Sequence, residues 1–139
     1  MILVFGKTGQ VATELQQIGD VVALGRDQAD LANPAACADA IRTRAPRAVI
    51  NAAAYTAVDR AEEVEALATV INGDAPTAMA RACEELGIPL IHISTDYVFD
   101  GTGVAPWYPH GPTSPQNAYG RSKLAGEIGI RNSGAVHVI

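Results

Sequence analysis

The sequence is poor in several things, and each shortage closes a class of explanation. It has two cysteines, Cys37 and Cys83, with neither metal nor redox spacing. Both fall in Ala-rich stretches of helical pattern and are expected to be small buried hydrophobes. The three histidines, His92, His110 and His137, are equally scattered, so no metal site is expected. Basic residues are scarce: 10 Lys and Arg stand against 15 Asp and Glu, for a net charge of −5, and no basic run exists. Nucleic acid and anionic membranes are therefore poor partners. Apolar runs are broken by Gly or charge well short of the ~18 residues a spanning helix needs. The opening Met1-Ile2-Leu3-Val4-Phe5-Gly6 has no basic leader or cleavage site, and the cytoplasm is the expected compartment.

What the chain does have is alternation of strand and helix. With 139 residues, one domain with a real core is expected. Residues 1–5 form an uninterrupted apolar run, the pattern of a parallel strand buried on both faces. Gly6-Lys7-Thr8-Gly9-Gln10-Val11-Ala12 follows and leads into a helix. Strand, glycine turn and helix start bring backbone N–H groups to one point, where a pyrophosphate would sit. The Gly-x-x-Gly-x-x-Ala spacing lacks the Lys-Ser/Thr ending of a nucleoside triphosphate loop, and Ala12 stands where the third small residue packs helix on strand. A purely structural turn is the alternative reading.

Val21 to Leu24 is a second strand whose tip, Gly25-Arg26-Asp27, is placed to read an adenosine ribose. Arg26 leans the reading slightly toward NADPH without excluding NADH; a surface arginine is an equally good reading. Asn33-Pro34 reads as a cap and first turn of a helix running to about Arg44. Arg47 to Asn51 is a third strand, ending in the small residues Ala52-Ala53-Ala54, beside which a flat ligand can lie. From Asp59 to Leu86 apolar residues recur at helical spacing, with Gly73 and Pro76 expected to bend or divide the run; Asn72, within it, is either a packing residue or part of the site.

Gly87 stops that helix. A fourth strand, Ile88 to Ile93, ends in Ser94-Thr95-Asp96, whose hydroxyls are expected to face the glycine turn. Pro106 to Pro115 is an irregular loop expected to wall a site. Tyr119 to Arg131 is a helix, and Ala135 to Ile139 a strand at which the chain stops, as a cut would leave it. The expected architecture is a doubly wound parallel α/β sheet of the Rossmann type, a single dinucleotide-binding domain over residues 1–139.

Tyr119 and Lys123 stand four residues apart, which puts both side chains on one helical face. A phenol titrates near ~10, and a nearby cation favours its ionised form, so the two make a usable acid/base pair. Tyr and Lys at this spacing also occur on plain solvated helices.

These stretches together resemble the extended short-chain dehydrogenase/reductase superfamily and, within it, the dTDP-4-dehydrorhamnose reductases. Tyr119-Gly120-Arg121-Ser122-Lys123 carries the superfamily; Asn51 to Asp59 and Ser94 to Gly101 are more specific to the reductases. The resemblance implies Thr95, Tyr119 and Lys123 as catalytic residues reducing the 4-keto group of a dTDP-6-deoxyhexulose to give dTDP-L-rhamnose. Its implied cofactor is NADPH or NADH, held by Gly6, Gly9, Gln10, Val11, Asp30, Leu31, Ala53, Ala54 and Tyr55, with Tyr119, Lys123 and Arg26 beside it. Thr56, Val58, Thr95, Asp96 and Tyr97 match positions near the substrate. The expected partners are a dTDP-sugar and, in the full-length protein, a second copy. The family's C-terminal substrate domain has no counterpart here, so the chain alone is expected to bind cofactor with little turnover. Tyr97 stands where related dehydratases carry Glu, which argues against dehydration. An epimerase, or a cofactor-binding subunit without catalysis, remains as an alternative.

Overall fold

A computed structural model describes residues 1–139. Ile2–Phe5 (β1), Val21–Leu24 (β2), Ala48–Asn51 (β3), Leu90–His92 (β4) and His137–Val138 (β5) form one sheet in the order β2-β1-β3-β4-β5, every pair parallel. The register sets Leu24, Phe5, Asn51 and His92 side by side at the C-terminal edge. The chain winds outward from β1 to β2 on one side and through β3 to β5 on the other. It reverses beside β1, and open sheets of this kind place their crevice there.

The helices are Gln10–Leu15 (α1), Pro34–Arg44 (α2), Val58–Ala61 (α3), Glu65–Thr69 (α4), Ala75–Leu86 (α5) and Ala118–Arg131 (α6). Strand side chains alternate between faces, so Leu3, Phe5, Val49 and Leu90 pack with Cys37, Ile41, Met79, Cys83 and Ile130 of α2, α5 and α6 in the main core. All of these are fully buried, and each large one contributes about 1.5–3 kcal/mol. Both cysteines are thus buried hydrophobes. On the opposite face Val4 and Ile50 meet Ala12 of α1, whose methyl group is accommodated there and buried. Past α1 that face stays open: Ile91 is 40% and its register partner Val138 64% exposed.

Local chemistry fixes the element ends. Asn33 Oδ1 accepts from Ala36 N–H at 3.1 Å, with Pro34 first in α2. Gly87, at φ +66°, closes α5 as expected. α2 closes on Ala45, at φ +43°, a left-handed conformation that costs a residue with a Cβ about 1 kcal/mol.

The long run from Asp59 to Leu86 is divided, at two places. One break separates α3 from α4. The other is a π turn at Val70–Asp74, where α4 passes into α5. Pro76 has no N–H to give to the carbonyl four residues back, Asn72 O, and the widened turn accommodates that missing bond. Thr77 Oγ donates to Gly73 O at 2.8 Å, which satisfies the next carbonyl. The last strand is shorter than Ala135 to Ile139, because only His137 and Val138 are in register with β4.

Candidate functional site

The turn after β1 begins at Gly6, whose φ of +107° favours glycine and whose Cβ, if present, would press on Ala52 C and O at 3.3 Å. The N–H groups of Lys7, Thr8 and Gly9 have no intramolecular acceptor, so three donors are offered to whatever lies against the turn. Beside it runs a cavity of about 320 Å³ walled by Gly6, Lys7, Thr8, Arg26, Asp30, Leu31, Ala53 and Ala54. Arg26 reaches Asp30 at 3.9 Å with its side chain 81% exposed, a loose pair worth little.

On the other side of Ala53 and Ala54 lies a second cavity, of about 420 Å³, walled by Gln10, Val11, Thr56, Ile93, Ser94, Tyr119 and Lys123. The two cavities share the small residues at the end of β3, so one elongated ligand can pass from Arg26 to Tyr119. Tyr119 and Lys123 therefore do share a cavity with the glycine-turn residues Gln10 and Val11.

Tyr119 is held at the first turn of α6. Asn117 Oδ1 accepts from Gly120 N–H at 2.7 Å, and Glu62 Oε1 accepts from Ala118 N–H at 2.6 Å. A Cβ at Gly120 would collide with Tyr97 O, so the residue after the tyrosine must be small. The Tyr97 ring meets Tyr119 edge-on, centroids 5.5 Å apart at 79°.

Lys123 is 2% exposed. Its Nζ donates to Ile93 O at 2.5 Å and lies 3.5 Å from His92 Nε2. Burial pulls the ammonium down to about 8, with Glu127 opposing the shift. His92 is 2% exposed, and Asn51 Nδ2 approaches its Nδ1 at 3.1 Å. Burial, then the charge of Lys123, hold the imidazole down at about 3, so it is neutral throughout the physiological range. Glu127, also buried, accepts from Ser94 Oγ at 2.5 Å and pairs with Arg131 at 3.0 Å.

Asn72 is a packing residue that positions the site. Its Oδ1 accepts from Tyr55 N–H at 2.8 Å, while Nδ2 donates to Tyr55 O at 3.0 Å and to Ser122 Oγ at 2.9 Å. One amide thus ties the segment after Ala54, the π turn and α6 together.

Other expected residues lie elsewhere. Tyr55 is half-buried and walls neither cavity; its main chain is what Asn72 holds. Thr56 lines the Tyr119 cavity, whereas Val58 opens α3 outside it. Of the two hydroxyls expected to face the glycine turn, Ser94 lines the Tyr119 cavity. Thr95 faces a cleft of about 780 Å³, which Ser94 also lines, with Asp96, His110 and the irregular loop, whose Trp107 stacks on Phe99 at 5.0 Å. Thr95 Oγ accepts from Tyr97 N–H at 3.2 Å, capping a short 3₁₀ turn at Asp96–Val98. Tyr97 lines a smaller neighbouring cleft with Asp96 and Asn117. The roles of Asn51 and His92 escaped the sequence reading, for no local spacing links either of them to Lys123.

The whole chain, residues 1–139, matches the family model described as "RmlD substrate binding domain". The chain belongs to this family. It is similar to the dTDP-4-dehydrorhamnose reductase of Burkholderia thailandensis, 48% identical over 137 residues, covering 96% of this chain and 46% of the relative. Its fold matches a crystal structure of such a reductase from Clostridium acetobutylicum, with TM-score 0.92 and 36% identity over 98% of this chain and 50% of the other. A Bacillus anthracis dTDP-4-dehydrorhamnose reductase solved in complex with NADP also matches, with TM-score 0.92, 31% identity and the same coverage. The chain spans about half the length of these relatives. The Rossmann-type α/β fold expected from the sequence is the fold this family has. No helix is long and apolar enough to cross a membrane.

Proposed function

We propose that this chain is the cofactor-binding and acid/base half of an NAD(P)H-dependent dTDP-4-dehydrorhamnose reductase, completed by a substrate domain outside residues 1–139. The observation that carries the reading is the pair of cavities joined over Ala53 and Ala54, with unpaired turn amides at one end and Tyr119 and Lys123 at the other. The residues fit a dinucleotide. The turn amides of Lys7 to Gly9 would take the pyrophosphate, with Gln10 and Val11 beside it. Arg26, Asp30 and Leu31 would border the adenosine, and the two alanines allow close approach. NADPH or NADH when bound supplies a hydride.

The chain's own residues handle the proton and the charge. Tyr119 donates its phenolic proton to the sugar oxygen that becomes an alkoxide. Lys123 supplies a nearby amine to the cofactor ribose and the tyrosine. Thr95, whose Oγ accepts from Tyr97 N–H at 3.2 Å and donates to Asp96 Oδ1 at a long 3.5 Å, would turn that hydroxyl hydrogen from Asp96 to a substrate oxygen in the neighbouring cleft. Thr56 and Ser94 on the Tyr119 cavity wall, with Val58, Asp96 and Tyr97 nearby, would shape the space for the deoxyhexulose. The acidic surface, net charge −5, supports a soluble cytoplasmic enzyme that binds no nucleic acid; a homodimer of the full-length protein belongs to the same reading.

The test is NADPH and NADH oxidation by the complete gene product with dTDP-6-deoxy-L-lyxo-4-hexulose, beside Tyr119→Phe. Turnover that falls by at least ~100-fold in the variant supports the acid assignment. Cofactor binding without any sugar-dependent oxidation would overturn the reading in favour of a non-catalytic binding subunit.

A further inference from the structure

The polar groups behind Lys123 form a chain whose direction can be assigned atom by atom. Ala53 N–H donates to Asn51 Oδ1 at 3.2 Å, and only an oxygen can accept that bond, so the Asn51 amide cannot be turned over. Its Nδ2 is then the group 3.1 Å from His92 Nδ1, and an NH₂ facing a ring nitrogen requires that nitrogen to be the acceptor. A neutral imidazole accepting at Nδ1 carries its single hydrogen on Nε2. That hydrogen points toward Lys123 Nζ, 3.5 Å away. Lys123 therefore meets a donor on the sheet side and an acceptor, Ile93 O, at 2.5 Å. An ammonium, which has only donors to offer, suits the second contact and opposes the first. A neutral amine satisfies both, accepting from His92 and donating to Ile93.

We propose that His92, locked by Asn51 as the tautomer with its hydrogen on Nε2, is a positioning residue that makes Lys123 a titrating amine rather than a permanent cation. The groups around Lys123 are few. From β4 comes His92; on α6 itself lie Tyr119, one turn before, and Glu127, one turn after. Arg131 engages the Glu127 carboxylate at 3.0 Å, and Ser94 Oγ engages its other oxygen at 2.5 Å. Tyr55, from the segment after β3, packs against the start of α6. Besides the Ile93 carbonyl, Glu127 is the one charged group here that favours the ammonium, and it is already shared with Arg131 and Ser94. The inference rests on the reductase reading only for its consequence in turnover: the amine beside the cofactor site gains or loses its proton within the working range.

The test is NMR on the complete gene product, which needs no catalysis. In ¹⁵N spectra of the wild type at pH 7, His92 is expected to show a protonated Nε2 and an unprotonated Nδ1. The reverse tautomer overturns the proposal without any variant. Lys123, labelled at Cε and assigned by its loss in Lys123→Met, is expected to titrate with a midpoint near about 8. In His92→Gln, whose amide can turn its oxygen to Nζ, that midpoint is expected to rise by about one unit, a tenfold shift toward the ammonium. The basic limb of the pH profile of kcat/KM should move with it. An unmoved Lys123 midpoint in a folded His92→Gln overturns the proposal. The expected NMR result in a protein that reduces no sugar nucleotide would sink the reductase reading and leave this one standing.

Discussion

Replacing Asn72 by Ala tests whether a single buried amide holds the site together. Asn72 is 1% exposed and makes three hydrogen bonds, two to the Tyr55 main chain and one to Ser122 Oγ. Each is worth about 1 kcal/mol net, and leaving the half-buried Tyr55 N–H and C=O unpaired adds to the loss. Ser122 fares better, because its hydroxyl still donates to Tyr119 O at 2.7 Å. The expected destabilisation is about 3 kcal/mol, a large share of the ~5–15 kcal/mol that holds a typical domain. Urea unfolding of the complete gene product should show a lower midpoint at unchanged slope. Because Tyr55 follows the two alanines that wall both cavities, cofactor affinity should fall as well. Asn72→Asp, nearly the same shape, keeps the acceptor for Tyr55 N–H but turns an acceptor toward Tyr55 O, and should lose about as much. A loss below about 1 kcal/mol in Asn72→Ala, or an Asp variant as stable as wild type, would refute the reasoning.

Other substitutions and pH give further checks. Gly126→Ala drives a methyl into Asn72 O and is expected to cost at least ~2 kcal/mol in unfolding experiments. Gly9→Ala meets nothing within 4 Å, so it should leave the unfolding midpoint unchanged while weakening NADPH binding in a fluorescence titration. Ala45→Gly relieves the left-handed residue at the end of α2 and should raise stability by about 0.5–1 kcal/mol, read as a higher melting temperature. Because His92 is held at about 3 against an ordinary 6.5, the unfolded chain binds more protons than the folded one between those values. Stability should accordingly fall as pH drops from 6.5 toward 3, and less steeply in His92→Gln. Lys123, lowered from 10.5 to about 8, works in the same direction at higher pH, so its burial penalty fades as pH rises from 8 to 10.5. Lys123→Met should therefore be more stable than wild type at pH 7 by up to about 3 kcal/mol, while losing turnover.

How far the sequence could be read depends on how far apart in it the partners lie. β1, the glycine turn, the Asn33-Pro34 cap and Gly87 are signalled within a few residues of where they act, and each is found where its chemistry puts it. The division at Gly73 and Pro76 was also legible, since a proline announces its own missing donor. The break between α3 and α4 was not, because the apolar spacing runs on through it. Thr95 is the case where adjacency told only half. Ser94 lines both the Tyr119 cavity and the larger cleft beside it, whereas Thr95, capping the 3₁₀ turn, lines the larger cleft and not the Tyr119 cavity.

The buried contacts that give Lys123 its character join residues 31 and 41 positions apart, and the amide of Asn72 reaches 50 positions to Ser122. No periodicity reports such pairings; they follow from strand register, which sets Asn51 beside His92 once β3 and β4 pair in parallel. A lysine on a helix face and a histidine ending an apolar strand each read as ordinary alone. The sheet brings them within reach, and burial then forces their hydrogens into one order. In the proposed reading, the acid/base pair Tyr119 and Lys123 rests on two residues, Asn51 and His92, that only the fold brings beside Lys123.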